Sequence, residues 1–350
     1  LLPSLCFIFF YILILTSSIF SNHYIHSLES SALYFTYLIY VLSLIILFQK
    51  KEEFRKLFFL CGILTCLILC IDAFYEFLNG SNILGYSSID GRIAGLFGDR
   101  WLLGRYLIYI LPVLVGMYFL EKDKFDNYRY IFLITIILTS VVIIFSGERA
   151  AFLLFFLYLL LILIFLLNKL PTIRIFQFLF LSIILLILPF LFFETSERIK
   201  DNFILYLTSN NYEKNQYLSM FVTSWKMFVD NLFLGIGPNN FRYDCSDPIY
   251  YVSKWSCSTH PHSTFFQILA ELGIFSFLLV YSVFGYFVYK SITLVFSKNI
   301  SHKSFGIYSI QCAIIIYLFP LMITGNFFLS WYGFIYYLPI SLFMVYSNKI

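Results

Sequence analysis

Charge is what this chain has least of: 12% of its 350 residues are charged, against 61% hydrophobic and 22% aromatic, and the mean hydropathy is +0.86. Such a composition excludes a soluble domain, whose apolar share lies near half. The net charge of +4 is small and scattered through short segments, so no nucleic-acid partner is expected. Alternating apolar and polar residues are missing, which excludes a membrane barrel. No cleavable signal is legible, and the sequence opens at Leu1 without Met, so one or more helices are expected to precede it. No Walker-type Lys-Ser/Thr follows any glycine-rich turn, which removes a nucleoside triphosphate site. No acid or third histidine accompanies His260 and His262 at ligand spacing, so no metal and no cofactor are expected.

What the chain does have is apolar runs of about 17 to 25 residues over nearly its whole length, the signature of helices that cross a bilayer. The expected fold class is all-α, a polytopic inner-membrane bundle of about ten spans. The expected helices cover about 5–20, 32–48, 57–77, 101–120, 130–146, 150–167, 175–193, 264–289, 305–323 and 328–346. One large polar loop separates the seventh from the eighth. The expected organisation is N-terminal transmembrane helices over 1–193, the loop with an amphipathic helix over 194–263, and C-terminal transmembrane helices over 264–350. Basic residues then alternate between sides. Lys50, Lys51, Arg55 and Lys56; Lys122, Lys124 and Arg129; Lys169 and Arg174; and Lys290, Lys298 and Lys303 all fall on one side, which the positive-inside rule makes cytoplasmic.

The opposite side receives 21–31, 78–100, the tight turn at Ser146–Arg149 and the long loop. That loop runs into S-T-H-P-H-S-T-F-F-Q-I-L-A-E-L-G from Ser258, where a polar stretch hands over to a membrane helix. Pro261 keeps His260 out of helical conformation, and Ser263 or Thr264 is placed to cap the helix that follows. Two imidazoles therefore sit at a boundary between water and lipid. Residues 215–234, with Tyr217, Met220, Phe221, Trp225, Phe228 and Leu232 spaced by three or four, read as an amphipathic helix lying on the membrane surface.

Cys6, Cys61, Cys66, Cys70 and Cys312 fall within apolar helices and behave there as small hydrophobes. Cys245 and Cys257 lie in the polar loop, and a disulfide between them is expected if the loop faces an oxidising compartment.

Positive-inside bias leaves four arginines on the opposite side unexplained: Arg92 and Arg100 in G-R-I-A-G-L-F-G-D-R-W-L-L-G-R, Arg149 in S-G-E-R-A-A-F, and Arg242 in G-I-G-P-N-N-F-R. A guanidinium donates two parallel hydrogen bonds and keeps its charge, which suits a phosphate; any one of the four also reads as an interfacial side chain reaching lipid headgroups. Arg149 stands between two apolar runs joined by a few residues, with Glu148 beside it either as partner or facing water. Asp72 and Glu76 share a helix face near a span end, where hydration is the ordinary expectation. His23, His26 and His302 lie in loops with no ligand-spaced company.

Taken together these residues resemble the O-antigen ligase and O-antigen polymerase family of bacterial envelope glycosyltransferases, over about 90–346. The resemblance rests on R-x-x-G-L-F at Arg92, S-G-E-R-A-A at Ser146, the aromatic helix leading into G-I-G-P-N-N-F at Gly235, and H-P-H-S-T-F-F-Q-I-L-A-E-L-G at His260. Two departures stand out: Ser263 replaces a common Asn, and S-G-E-R replaces S-R. The helix count is about two below the usual number for the ligases, consistent with a missing N-terminus.

The resemblance implies metal-independent transfer of a glycan from undecaprenyl diphosphate to a sugar hydroxyl, of the lipid A core or of a growing glycan, at the periplasmic face of the bacterial inner membrane, in lipopolysaccharide biosynthesis. In that reading His262 is the catalytic base. Arg149 stabilises the departing diphosphate, Arg92, Arg100 and Arg242 bind it, and His260 and Glu271 give support. A polymerase shares the donor chemistry and differs in acceptor. A polysaccharide or lipid transporter is the competing class, but transporters place polar sites near the midplane of repeated halves, and no internal repeat is visible here.

Overall fold

A computed structural model describes residues 2–87, 92–167, 215–297, 301–320, 322–328 and 331–347. The helix expected at 175–193, the first part of the long loop, and Lys169, Arg174 and Lys298 lie outside the described residues. Ten helices longer than one turn are described: α1 (Leu2–Ile19), α2 (Tyr24–Lys50), α3 (Glu52–Asn79), α4 (Leu103–Leu120), α5 (Arg129–Phe145), α6 (Arg149–Leu167), α7 (Gln216–Asp230), α8 (Thr264–Phe296), α9 (His302–Leu318) and α10 (Trp331–Tyr346). Among the described residues six helical segments are long and apolar enough to cross a membrane, and the only β pairing is an isolated bridge between Ser81 and Ser87. This is a helical membrane protein.

The chain divides into two compact units. The first comprises 1–44, 203–287 and 317–341; the second comprises 45–202, 288–316 and 342–350.

Three element boundaries in the first unit depart from the sequence expectation, each for a local reason. The segment 21–31, expected as a loop, is helical from Tyr24, because its serines satisfy themselves at close quarters: Ser31 Oγ donates to the Ser27 carbonyl at 2.8 Å, and Ser18 and Ser31 share a hydroxyl contact of 2.5 Å. Helix α8 is interrupted at Gly273 (φ 71°, ψ −171°), so a short helix Thr264–Leu272 precedes the long arm. The expected helix 305–323 ends at Leu318 and α10 begins at Trp331, leaving the described residues 319–320 and 322–328 non-helical. Pro320 and Gly325 account for that stop, and backbone without its own ladder is tolerated at membrane depth only where protein partners supply hydrogen bonds.

The break at Gly273 finds its partners in the G-I-G-P-N-N turn. Ile236 N–H donates to the Ala270 carbonyl (2.9 Å), Gly237 N–H to the Glu271 carbonyl (3.0 Å), and Ile274 N–H to the Leu232 carbonyl (2.8 Å). The two segments run so close that a Cβ on Gly235 would lie 2.4 Å from the Glu271 carbonyl carbon, and one on Gly273 would lie 2.3 Å from the Phe233 oxygen. Serines at the α1–α2 corner fasten the turn from the other side. Ser17 Oγ donates to the carbonyls of Leu234 (2.6 Å) and Glu271 (3.0 Å), and Ser21 Oγ to that of Ile236 (2.7 Å).

In the second unit α3, α4, α5 and α6 pack around a core that includes Phe59, Ile63, Leu107, Leu114, Val142 and Leu154. Asp72 and Glu76 are fully buried rather than hydrated. Asp72 Oδ1 accepts from Ile83 N–H (2.9 Å), while Glu76 accepts from Ala94 N–H (3.3 Å) and Gly95 N–H (2.6 Å), so the two acids fold the loop after α3 back onto its helix. At the opposite end of α3, Arg55 meets Glu121 at 2.9 Å and the Phe48 carbonyl at 2.6 Å, and Tyr346 donates to Glu121 (2.9 Å).

Charge alternation makes a test of orientation. In a chain whose thiols outside the loop are replaced, a cysteine at Asn22 is expected to react with an impermeant thiol reagent applied to intact cells, and cysteines at Lys51 or Asp123 are not. Labelling at Lys51 or Asp123 would reverse the orientation.

Candidate functional site

Around His260 and His262 the first unit assembles a compact polar cluster. Helix α7 begins at Asn215, whose side-chain oxygen accepts from Tyr217 N–H and Leu218 N–H, both at 3.2 Å. Its stripe of Met220, Met227 and Phe228 is buried with Ile236, Phe241, Cys245 and Ala270, and Phe221 stacks on Phe266 at 4.6 Å. The face read as membrane-bound is thus largely taken up by protein; of the six stripe residues only Trp225 and Leu232 remain widely exposed, at 49% and 42%. Cys245 and Cys257 are joined as a disulfide across 12 residues. Inside that loop Ser256 Oγ accepts from Val252 N–H (2.9 Å) and Ser253 N–H (3.0 Å), and Ser253 bonds Ser219 of α7 (2.8 Å). The chain therefore enters the histidines from a braced loop.

The two imidazoles differ in setting. His260 is buried; its Nε2 lies 3.3 Å from the Thr324 carbonyl and its Nδ1 lies 3.0 Å from Thr259 Oγ1. A carbonyl only accepts, so Nε2 carries a proton, while the Thr259 hydroxyl partners Nδ1. His262 is half-buried, with Nε2 3.1 Å from Ser258 Oγ and its ring edge-on to Tyr217 at 6.0 Å. Its backbone is left-handed, φ 55°, a conformation that costs a non-glycine residue about 1 kcal/mol or more and calls for outside support. The rings are 4.1 Å apart at 48°.

Helix α8 is not capped by Ser263. The Ser263 hydroxyl is buried without a partner, and the Thr264 amide donates instead to Thr324 Oγ1 at 2.7 Å. Residues 324–328 continue the pattern: Asn326 Nδ2 donates to Asn239 Oδ1 (2.9 Å), Gln267 Nε2 to Asn326 Oδ1 (2.7 Å), and Phe327 N–H to Gln267 Oε1 (2.9 Å). This stretch carries no family motif and went unnoticed in the sequence.

Arg242 and Glu271 join the same network. Arg242 Nη2 donates to Asn239 Oδ1 at 2.7 Å, while its Nε is buried with no partner. Glu271 is fully buried and accepts from Phe241 N–H (3.0 Å) and Gln267 Nε2 (2.9 Å), so it holds the residue beside Arg242. On the far side of that turn His23 Nε2 contacts Asp244 at 3.0 Å, and Tyr243 bonds His26 at 2.5 Å, so two histidines read as solitary in fact grip the Arg242 turn. Burial pushes the Asp244 carboxyl above its ordinary range, with the His23 contact pulling it back down.

Arg92, Arg100 and Arg149 belong to the second unit. Arg149 is exposed at the start of α6 and makes no hydrogen bond or ion pair among the described residues; Arg100 is also exposed; Arg92 stacks over Trp101 at 4.1 Å. Glu148 neither pairs with Arg149 nor faces water. It turns inward to Arg105 Nε (3.2 Å) and Gly104 N–H (2.7 Å), where burial raises its carboxyl above the usual range and the arginine and amide draw it down. Arg105, at the end of the quoted Arg92 motif, was not singled out. Its Nη2 also donates to the Trp101 carbonyl (3.2 Å), which fixes the guanidinium against the loop.

Residues 134–281 match the family model described as O-antigen ligase. Over that span the chain is similar to the O-antigen ligase family. The matched span contains the Ser146 turn, α7, the G-I-G-P-N-N-F turn and both histidines, whereas Arg92, Arg100 and the Thr324 stretch lie outside it. Comparison with curated proteins gives no match. That similarity fits a membrane glycosyltransferase acting on a lipid-linked glycan and an acceptor.

Proposed function

We propose that this chain transfers a glycan from undecaprenyl diphosphate to a sugar hydroxyl of the lipid A core, at the periplasmic face of the inner membrane, with a bundle of about ten spans and the large loop between the seventh and eighth. The observation that carries this reading is the contrast between the histidines. His260 has both nitrogens committed, to Thr259 and to the Thr324 carbonyl, while His262 is half-exposed and already holds a hydroxyl, that of Ser258, against Nε2 at 3.1 Å. An acceptor hydroxyl needs the same contact to lose its proton.

In this mechanism the acceptor oxygen bonds to the anomeric carbon as its proton passes to His262. The bond from that carbon to the diphosphate oxygen breaks, and the electron pair leaves with the carrier. Direct displacement inverts the anomeric centre. Charge growing on the diphosphate is met by arginine, with no metal assigned. Arg149 takes the first role because its guanidinium is exposed and unengaged among the described residues; Arg92, Arg100 and Arg242 are assigned to donor binding on charge and motif. Glu271 supports the Arg242 turn through Phe241 and Gln267.

The test is transfer by purified protein in detergent, with carrier-linked glycan and either lipid A core or a second glycan as acceptor. Transfer to the core is expected; transfer to glycan alone would make the chain a polymerase. Arg149→Lys is expected to lose most activity, because an ammonium keeps the charge and lacks the fork that fits a diphosphate. Full activity in that variant would remove Arg149 from the chemistry.

A further inference from the structure

Thr324 reaches three alternate residues of the histidine segment at once, from 60 positions away in sequence. Its amide donates to the His262 carbonyl (2.9 Å), its carbonyl accepts from His260 Nε2 (3.3 Å), and its hydroxyl accepts from the Thr264 amide (2.7 Å) while contacting Thr264 Oγ1 at 2.8 Å. These contacts act on different variables. The first supports a left-handed backbone that His262 would not hold by itself. The second keeps a proton on His260 Nε2 and holds that ring, tilted 4.1 Å from His262, in one orientation. The third fills an amide at the start of α8 that Ser263 leaves open.

We propose that Thr324 is a positioning residue for glycan transfer: it sets the rotation of His262 and keeps beside it an oriented His260. The inference rests on His262 being the base. Loss of that geometry slows proton transfer without removing the groups that bind either substrate, because small displacements of a base are costly in rate.

Thr324→Val keeps shape and both backbone contacts but removes the hydroxyl that ties Thr324 to Thr264 and so holds those contacts in register; Thr324→Ser keeps the hydroxyl. In the transfer assay Thr324→Val is expected to lower kcat about tenfold or more with acceptor KM within about twofold, and to move the acid limb of the pH profile. Thr324→Ser is expected to restore both. Wild-type kcat and pH profile in folded Thr324→Val, with His262→Ala inactive, would overturn the role of Thr324 alone; full activity in His262→Ala would overturn the base assignment and this inference with it. A second pair covers the case in which Thr324→Val does not fold. His260→Gln retains a side-chain N–H for the Thr324 carbonyl and is expected to keep more kcat than His260→Ala, and equal losses in the two would count against an oriented His260.

Discussion

His262→Ala is expected to lower glycan transfer by a factor of about 10² to 10⁴ while leaving donor binding intact, the loss typical when a general base is removed. His262→Gln and His262→Asn are expected to fail as well, since an amide restores a hydrogen bond and has no basic nitrogen. The alternative role for His262 is structural, as a left-handed corner before α8, in which case His262→Asn is the mildest change: Asn tolerates that backbone region better than most residues. The Gln and Asn variants therefore separate chemistry from folding. Thermal unfolding of each purified variant checks that the site is intact, and folded His262→Ala with wild-type turnover would remove the base. His260→Ala is expected to cost less, because its ring nitrogens hold Thr259 and Thr324 rather than a substrate.

Gly273→Ala is the second large effect, and it acts on the fold. The native φ of 71° with ψ of −171° belongs to a region open essentially to glycine, and the added methyl would stand 2.3 Å from the Phe233 oxygen and 2.7 Å from the Leu234 nitrogen. Backbone strain and overpacking together are expected to destabilise the first unit by on the order of 3 kcal/mol. The contact is backbone to backbone, so no rotamer change relieves it. Thermal unfolding in detergent measures this directly. Gly285→Ala, at a glycine with open space around it, serves as the control and is expected to be neutral or slightly stabilising. Equal midpoints for wild type and Gly273→Ala would mean that the break at Gly273 is not part of the folded state.

The sequence made the helical class legible because membrane helices advertise themselves through length and apolar composition alone. It also made the histidine segment legible, because a proline between two histidines, followed directly by an apolar run, is a local pattern. Thr324 and Asn326 were not legible. Their importance comes from 60-residue contacts with His262, Thr264 and Gln267, and nothing in P-L-M-I-T-G-N-F-F distinguishes them from the polar end of a span. Residues 24–31 misled for a related reason: Ser27, Ser30 and Ser31 look like loop residues until their hydroxyls are seen buried. Glu148 was assigned by adjacency to Arg149 or water, and adjacency does not choose among directions; its actual partners, Gly104 and Arg105, precede it by more than forty residues. Asp72 and Glu76 were expected in water because acids near a span end usually are, whereas here backbone amides of the following loop replace the water.

The seam between the G-I-G-P-N-N turn and the break at Gly273 bears on how the chain is made. Synthesis delivers Leu232–Gly237 before Ala270–Ile274, and neither segment can satisfy its backbone without the other. A bilayer offers no water to stand in for the missing partner, and each orphaned amide or carbonyl there costs several kcal/mol. The turn must therefore stay hydrated until Ala270–Ile274 has been made, and Ser17 and Ser21, made more than two hundred residues earlier, must already be in place to receive it. Assembly of the histidine site is in this sense ordered along the chain: residues 17–21 and 232–237 stay open until 270–274 arrive to close the seam.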